Sequence, residues 1–153
     1  EFRRVLFRSN FNISGNIVDL CQQTIFPGTV SVKEGYIQEI TREPGKHYEE
    51  YILPGFVDAH VHIESSMLVP TELARLATVH GTVAAVSDPH EIANVLGLAG
   101  VRFMVENATK TPFTIAFGVP SCVPATAYET AGSKLTPIDI RLLFEQKYVS
   151  YLS

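Results

Sequence analysis

Apolar and polar positions run through two different rhythms along this chain. From Phe11 to Ile52 the apolar residues come in short, partly alternating runs that predict β segments. Val30-Ser31-Val32 and Tyr36-Ile37-Gln38-Glu39-Ile40 flank Lys33-Glu34-Gly35, a hairpin turn in which glycine supplies a positive φ. Glu43-Pro44-Gly45-Lys46 is a second break. Residues 10–54 therefore predict part of a small β-sandwich domain, with too few strands for a complete sandwich.

Leu53-Pro54-Gly55 punctuates the chain, and the pattern then alternates between strand and helix. Phe56–Ile63 reads as a strand. Pro70–His80 reads as a helix, with Leu73, Leu76, Ala77 and His80 at helical spacing and Gly81 as its stop. Thr82–Ser87 is a short buried strand, and Glu91 to about Lys110 a helix presenting Ile92, Val95, Leu96, Ala99 and Phe103 on one face. Phe113–Val119 is a third strand. Thr136 at the N-cap and Pro137 at N1 open a helix to about Lys147, and Tyr148–Leu152 starts a fourth strand. This order predicts an α/β fold with a parallel sheet, which a doubly wound sheet and a (β/α)8 TIM-type barrel both satisfy. A barrel takes ~250 residues. Residues 55–153 would hold its first three βα units and the start of a fourth strand.

Composition narrows the partners. Of the 153 residues 46% are hydrophobic and 18% charged, a globular balance, and the net charge of −4 without a basic run argues against nucleic acid. No apolar stretch approaches the ~20 residues of a membrane helix. Cys21 and Cys122 form no CxxC pair, which fits a reduced, cytoplasmic protein, and each is expected to be a small buried apolar side chain. Residues 1–9, EFRRVLFRS, carry three arginines and no apolar signal core, and are set aside as an artefact or a disordered leader.

The chemistry concentrates on one strand. Side chains alternate faces, so Val57, Ala59, Val61 and Ile63 form an apolar side suited to packing under helices. Phe56, Asp58, His60 and His62 share the other side. Two imidazoles two residues apart stand about 6.5–7 Å apart at Cα and can converge on one metal ion. Asp58 is placed to accept a ring N–H and orient a ligand. The alternative is a pair of structural histidines at a strand end.

Asp88-Pro89-His90-Glu91 follows the second strand. Asp88 suits an N-cap, Pro89 N1 and Glu91 the N3 position of a capping box, but capping leaves His90 unexplained at the mouth of that strand. Glu64-Ser65-Ser66 is either a polar loop or a group that bonds substrate or fixes the ligands. Pro120 and Pro124 would stiffen a pocket wall, and Cys122 has no base beside it that would make it a nucleophile. His47 and His80 read as surface or helix-end residues. The zinc-deaminase pair of H-x-E and P-C-x-x-C is absent, as is the phosphate-cradling GxxxxGK[ST].

LPGFVDAHVH resembles the first barrel strand of the amidohydrolase superfamily. HVHIESSMLVP, SDPHEIANVLG and GVPSCVPAT are similar to its adenine deaminase family in particular, and the resemblance runs from about Asn12 to the C-terminus. It implies a (β/α)8 barrel flanked by a small β domain. It also implies a binuclear divalent metal centre with manganese or iron, and zinc would accept the same ligands. The implied activity is hydrolysis of adenine to hypoxanthine and ammonia. The partner is then a small-molecule purine base, with neither nucleic acid nor membrane involved, in a protein compatible with a homo-oligomer.

By this resemblance His60 and His62 are metal ligands and His90 and Glu91 belong to the outer metal shell or to substrate, and Asp58, Glu64 and Ser65 join them by their placement beside the histidines. The family's metal-bridging glutamate near the fourth strand's end has no counterpart in Tyr148–Leu152. No catalytic residue is assigned, and the acid–base aspartate is expected beyond residue 153. The chain is thus expected to be an N-terminal fragment without turnover of its own. The competing readings are another cyclic amidohydrolase, of dihydroorotase or hydantoinase type, and a non-catalytic α/β module.

Overall fold

A computed structural model describes residues 10–146 and 149–153. The expected leader at 1–9, the helix end at Lys147 and the strand start at Tyr148 lie outside the described residues. The chain divides into two compact units, Glu1–Pro54 and Gly55–Ser153.

The first unit holds one sheet of β1 (Phe11–Asp19), β2 (Thr24–Lys33), β3 (Tyr36–Arg42) and β4 (Tyr51–Ile52) in the order β3-β2-β1-β4. β1, β2 and β3 pair antiparallel, and β4 adds parallel to β1. The β2–β3 loop is Glu34-Gly35, with φ of 53° and 83°, the two left-handed residues that match strand twist in a tight hairpin. Ile17 and Val30 are buried, while Phe11, Ile13, Ile37 and Ile40 leave much of one apolar face open.

Glu43 ties the loop after β3 to the sheet. Its Oε1 accepts from Lys46 Nζ at 2.5 Å, and its Oε2 from Thr29 Oγ1 at 2.9 Å and Tyr48 Oη at 2.7 Å. Those three donors, Lys46 first, hold its carboxyl down at about 2.

The second unit is built from β5 (Phe56–Val61), a 3-10 turn (Ile63–Ser66), α1 (Pro70–Thr78), β6 (Thr82–Ser87), α2 (His90–Leu96), α3 (Leu98–Ala108), β7 (Thr114–Val119), α4 (Pro137–Phe144) and β8 (Val149–Leu152). Its four strands are all parallel and stand in chain order, β5-β6-β7-β8. Among the described residues there is no reversal of strand order of the kind that marks a doubly wound sheet. The helices cover one face. Ile63 and Phe117 pack there against Met104 and Val105, Ala85 against Ala74, and Val119 against Val101 and Leu143. No described helix is long and apolar enough to cross a membrane.

Several expectations are corrected. The helix drawn from Glu91 to Lys110 is two helices, broken at Gly97 with φ 61° and ψ −139°. The break resets the helical phase, so the buried side is Ala93, Gly100, Val101, Met104 and Val105. Val95, Leu96 and Phe103, expected inward, are 60%, 54% and 47% exposed. Gly100 lets α3 approach α2 closely, since a Cβ there would lie 2.7 Å from the Ile92 carbonyl oxygen.

In α1 Pro70 and Ala74 are buried, Leu73 and Ala77 pack against the core as expected, and Leu76 is exposed. Gly81, at φ +87°, follows that helix as expected, with His80 exposed beside it. On β5 the apolar side is buried only at its end: Val61 joins the core and Ile63 just beyond is fully buried, but Val57 and Ala59 are exposed because β5 is an edge strand. Both cysteines are exposed, not buried. Thr136 does cap α4, in a reciprocal box with Asp139.

Candidate metal centre

The histidine pair lies where β5 gives way to the 3-10 turn, beside the end of β6. A backbone bond from Asp88 N to Val61 O at 3.3 Å holds the two strand ends in step. Alternation sends His60 and His62 to the same side, and their Nε2 atoms meet at 3.1 Å. His62 Nδ1 lies 2.9 Å from the Asp88 carbonyl oxygen, which only accepts, so Nδ1 carries the proton and Nε2 presents its lone pair. His62 also stacks edge-on against His60 and His90, each with ring centroids 4.9 Å away.

Carboxylates surround the rings. Glu91 Oε2 lies 3.1 Å from His62 Nδ1 and 3.8 Å from His90 Nδ1, and Asp88 Oδ2 lies 3.2 Å from His90 Nδ1. Ser65 Oγ donates to Glu91 Oε1 at 2.8 Å. Burial acts against the Glu91 anion, but the Ser65 hydroxyl, its own backbone N–H and the two imidazoles outweigh it and hold the carboxyl below its ordinary range. Glu64 shifts the other way: burial first, and then the Glu91 charge, push its carboxyl up. One oxygen each of Glu64, Asp88 and Glu91 is buried without a hydrogen-bond partner. Glu91 Oε2 counts among these because the His62 Nδ1–H is aimed at the Asp88 carbonyl instead.

The expected site residues thus come together with one exception of detail. Asp58 does not reach a ring nitrogen; its Oδ1 accepts from the His60 backbone N–H at 3.1 Å. The group that orients His62 is the Asp88 carbonyl, with the Glu91 carboxylate 3.1 Å away beside it. The capping box drawn for Asp88 and Glu91 is also corrected. The N-cap of α2 is Pro89, without a side-chain cap, and His90 is the first helical residue. Cys122 is an exposed neighbour of Ser121.

Sequence reasoning passed over Tyr151. A Cβ on Gly118 would lie 2.7 Å from the Tyr151 ring, so the ring lies across β7 at the position where glycine removes the obstacle. Burial and the charge of Asp88 push its hydroxyl up. The only signal available in advance was a glycine inside an apolar strand.

The chain matches the Amidohydrolase family over residues 51–149. It belongs to that family. It is 52% identical over 146 residues to a protein of Salinibacter ruber named adenine deaminase, an alignment covering 95% of this chain and 26% of the relative. A Sulfurovum relative of the same name is 54% identical over 141 residues, covering 92% and 26% of the two chains. One from Methanothermobacter thermautotrophicus is 48% identical over 137 residues, covering 90% and 25%. The chain therefore spans about a quarter of the length of the curated relatives it matches.

Members of this amidohydrolase family depend on metal, and the donor set here fits one. Two imidazole nitrogens bound tetrahedrally to one ion at ~2.0–2.1 Å stand about 3.3 Å apart. The 3.1 Å between the two Nε2 atoms is close to that, and His62 is already in the tautomer a metal needs. His62, His90 and Glu91 also offer ligand atoms within 4.8 Å of one another.

Proposed function

We propose that this chain supplies the first portion of the metal site of an adenine deaminase, an enzyme that hydrolyses adenine to hypoxanthine and ammonia. The observation that carries the reading is the meeting of His60 and His62 at 3.1 Å, with the outer nitrogen of His62 tied to the Asp88 carbonyl. The name shared by relatives near 50% identity supplies the substrate. The parallel strands in chain order, β5 to β8, support reading the second unit as the beginning of a (β/α)8 barrel. The first unit is then part of a small β domain.

In this reading His60 and His62 hold a divalent ion of a binuclear centre, manganese or iron. Such an ion pair, when bound, lowers the pKa of water to ~7 and so provides a nucleophile at neutral pH. The chain's own residues set the stage. The Asp88 carbonyl fixes the His62 ring, the Glu91 carboxylate stands beside it, and Asp58 fixes the backbone at His60. His90 and Glu91 stand beside His62, where a purine base with its amino group would be bound. A cytoplasmic location and a homo-oligomeric full-length protein go with the reading.

The test is ammonia and hypoxanthine release from adenine by the full-length protein carrying this chain, loaded with manganese or ferrous ion. Turnover is expected, and replacing both His60 and His62 by alanine should remove activity and bound metal together. Turnover of dihydroorotate or a hydantoin but not adenine would move the protein to another branch of the family. Equal metal content in the double variant would make the histidines structural.

A further inference from the structure

Helix α2 begins without a cap of its own. Its N-cap residue, Pro89, has no side-chain acceptor, and the neighbouring Asp88 turns its Oδ2 to His90. The first-turn N–H groups of a helix have no partner inside it and need one from outside. Here the acceptor comes from far away in sequence: Glu64 Oε1 accepts from Ile92 N at 3.2 Å, across 28 residues. The adjacent Ser65 makes a second link, its Oγ donating to Glu91 Oε1 at 2.8 Å. Both residues belong to the 3-10 turn that starts directly after His62.

We propose that Glu64 is a positioning residue, which docks the start of α2 onto the histidine strand and so sets His90 and Glu91 against the His62 ring. This rests on the reading of His60 and His62 as metal ligands. The turn is short and its anchor, Ile63, is fully buried, so Glu64 is held at a fixed place relative to His62. Releasing Ile92 would let the first turn of α2 move away and withdraw Glu91 from its 3.1 Å approach to His62. Loss of such an outer partner typically costs about 10–100-fold in metal affinity.

The experiment uses the full-length protein carrying this chain with Glu64→Ala, Glu64→Gln and Glu64→Asp. Manganese affinity is read by chelator competition, and amide exchange over residues 90–96 is read in the metal-free protein. Glutamine keeps the accepting oxygen without charge, whereas aspartate keeps charge on a side chain about 1.5 Å shorter. Alanine and aspartate should each weaken manganese binding roughly 10-fold and speed exchange at Ile92, while glutamine retains most of both. Unchanged exchange and affinity in Glu64→Ala would overturn the proposal. So would a Glu64→Asp protein like wild type beside a damaged Glu64→Gln, since that pattern means Glu64 acts by charge. Should the alanine protein not fold, the glutamine–aspartate pair decides alone. Adenine turnover by the wild type, measured in parallel, tests the substrate reading separately: a manganese-binding protein inert to adenine would sink that reading and leave this comparison intact.

Discussion

Glu43 in the first unit and the carboxylates around the histidines in the second are held in opposite ways. Glu43 in the first unit has both oxygens occupied by Lys46, Thr29 and Tyr48, and its carboxyl is held down at about 2. In the second unit Glu64, Asp88 and Glu91 each keep one buried oxygen without a partner. All buried unpartnered side-chain atoms among the described residues fall between Glu64 and Asn94 in sequence. A satisfied carboxylate stiffens structure. An incompletely satisfied group of them beside imidazoles is costly and is characteristic of a site that a ligand completes. The first network ties a loop to its sheet, and the second leaves acceptor oxygens beside the imidazoles free for a ligand.

The sharpest way to break that comparison is to neutralise one carboxylate of each kind. In Glu91→Gln the amide keeps an acceptor for Ser65 but can turn an N–H toward the His62 Nδ1–H. Metal affinity of the full-length protein should fall by about 10–100-fold. Glu43→Gln, in the other unit, should leave metal affinity as it was. Chelator competition on both variants is the measurement. Equal affinities in Glu91→Gln and wild type would reduce Glu91 to a polar wall residue.

What was legible in the sequence was mostly short-range. Strand alternation put Asp58, His60 and His62 on one side because a two-residue period leaves no choice. Thr82–Ser87 emerged with the expected bounds, and Thr136-Pro137 named its own helix start. Errors came where a distant partner outbid a local one. Asp88 had the right spacing to cap α2, but the cap came from Glu64, 28 residues before the Ile92 N–H it accepts from, and Asp88 turns to His90. The apolar face of the long helix failed for a related reason. Gly97 takes a conformation that ends one helix and begins another, and no periodicity count can carry its phase across that break. The docking of the 3-10 turn onto α2 left no pattern at all, since neither Glu64 nor Ser65 differs in sequence from an ordinary polar loop.

A smaller effect tests whether satisfaction, rather than membership of one unit, is what distinguishes the two networks. The second unit has a closed network of its own at α4, well away from the unpartnered group in sequence. Thr136 N and Oγ1 both donate to Asp139 Oδ2, at 2.8 and 2.6 Å, and Asp139 N donates back to Thr136 Oγ1 at 3.3 Å. The Thr136 hydroxyl, helped by its backbone N–H, holds the Asp139 carboxyl below its ordinary range. Thr136→Ala should cost ~1 kcal/mol of stability in urea unfolding and leave metal affinity untouched. A change in metal affinity from this cap would mean that the second unit responds as a whole, and the contrast between satisfied and unsatisfied carboxylates would lose its meaning.

The smallest effect concerns Glu43 itself. Its carboxyl lies at about 2 in the folded protein against an ordinary 4.5, with the Lys46 ammonium first among the causes, followed by the Tyr48 and Thr29 hydroxyls. A depressed folded-state value means that the network stabilises the fold fully above the unfolded value near 4.5. The contribution is then lost progressively as pH falls from there toward about 2. Because the Lys46 side chain is solvent-exposed, salt should weaken its contribution and raise the midpoint, while the hydroxyl contributions persist. A carboxyl-detected NMR titration of Glu43 reads this directly. The expected midpoint is well below that of an unpaired glutamate, and Tyr48→Phe should move it upward by removing the second donor. A midpoint at the ordinary value would mean that the donors do not close on Glu43 in solution, and the loop after β3 would then be held by its other bonds to the sheet, Glu43 N to Pro27 O, Asn16 Nδ2 to Tyr48 O and Asn16 N to Glu50 O.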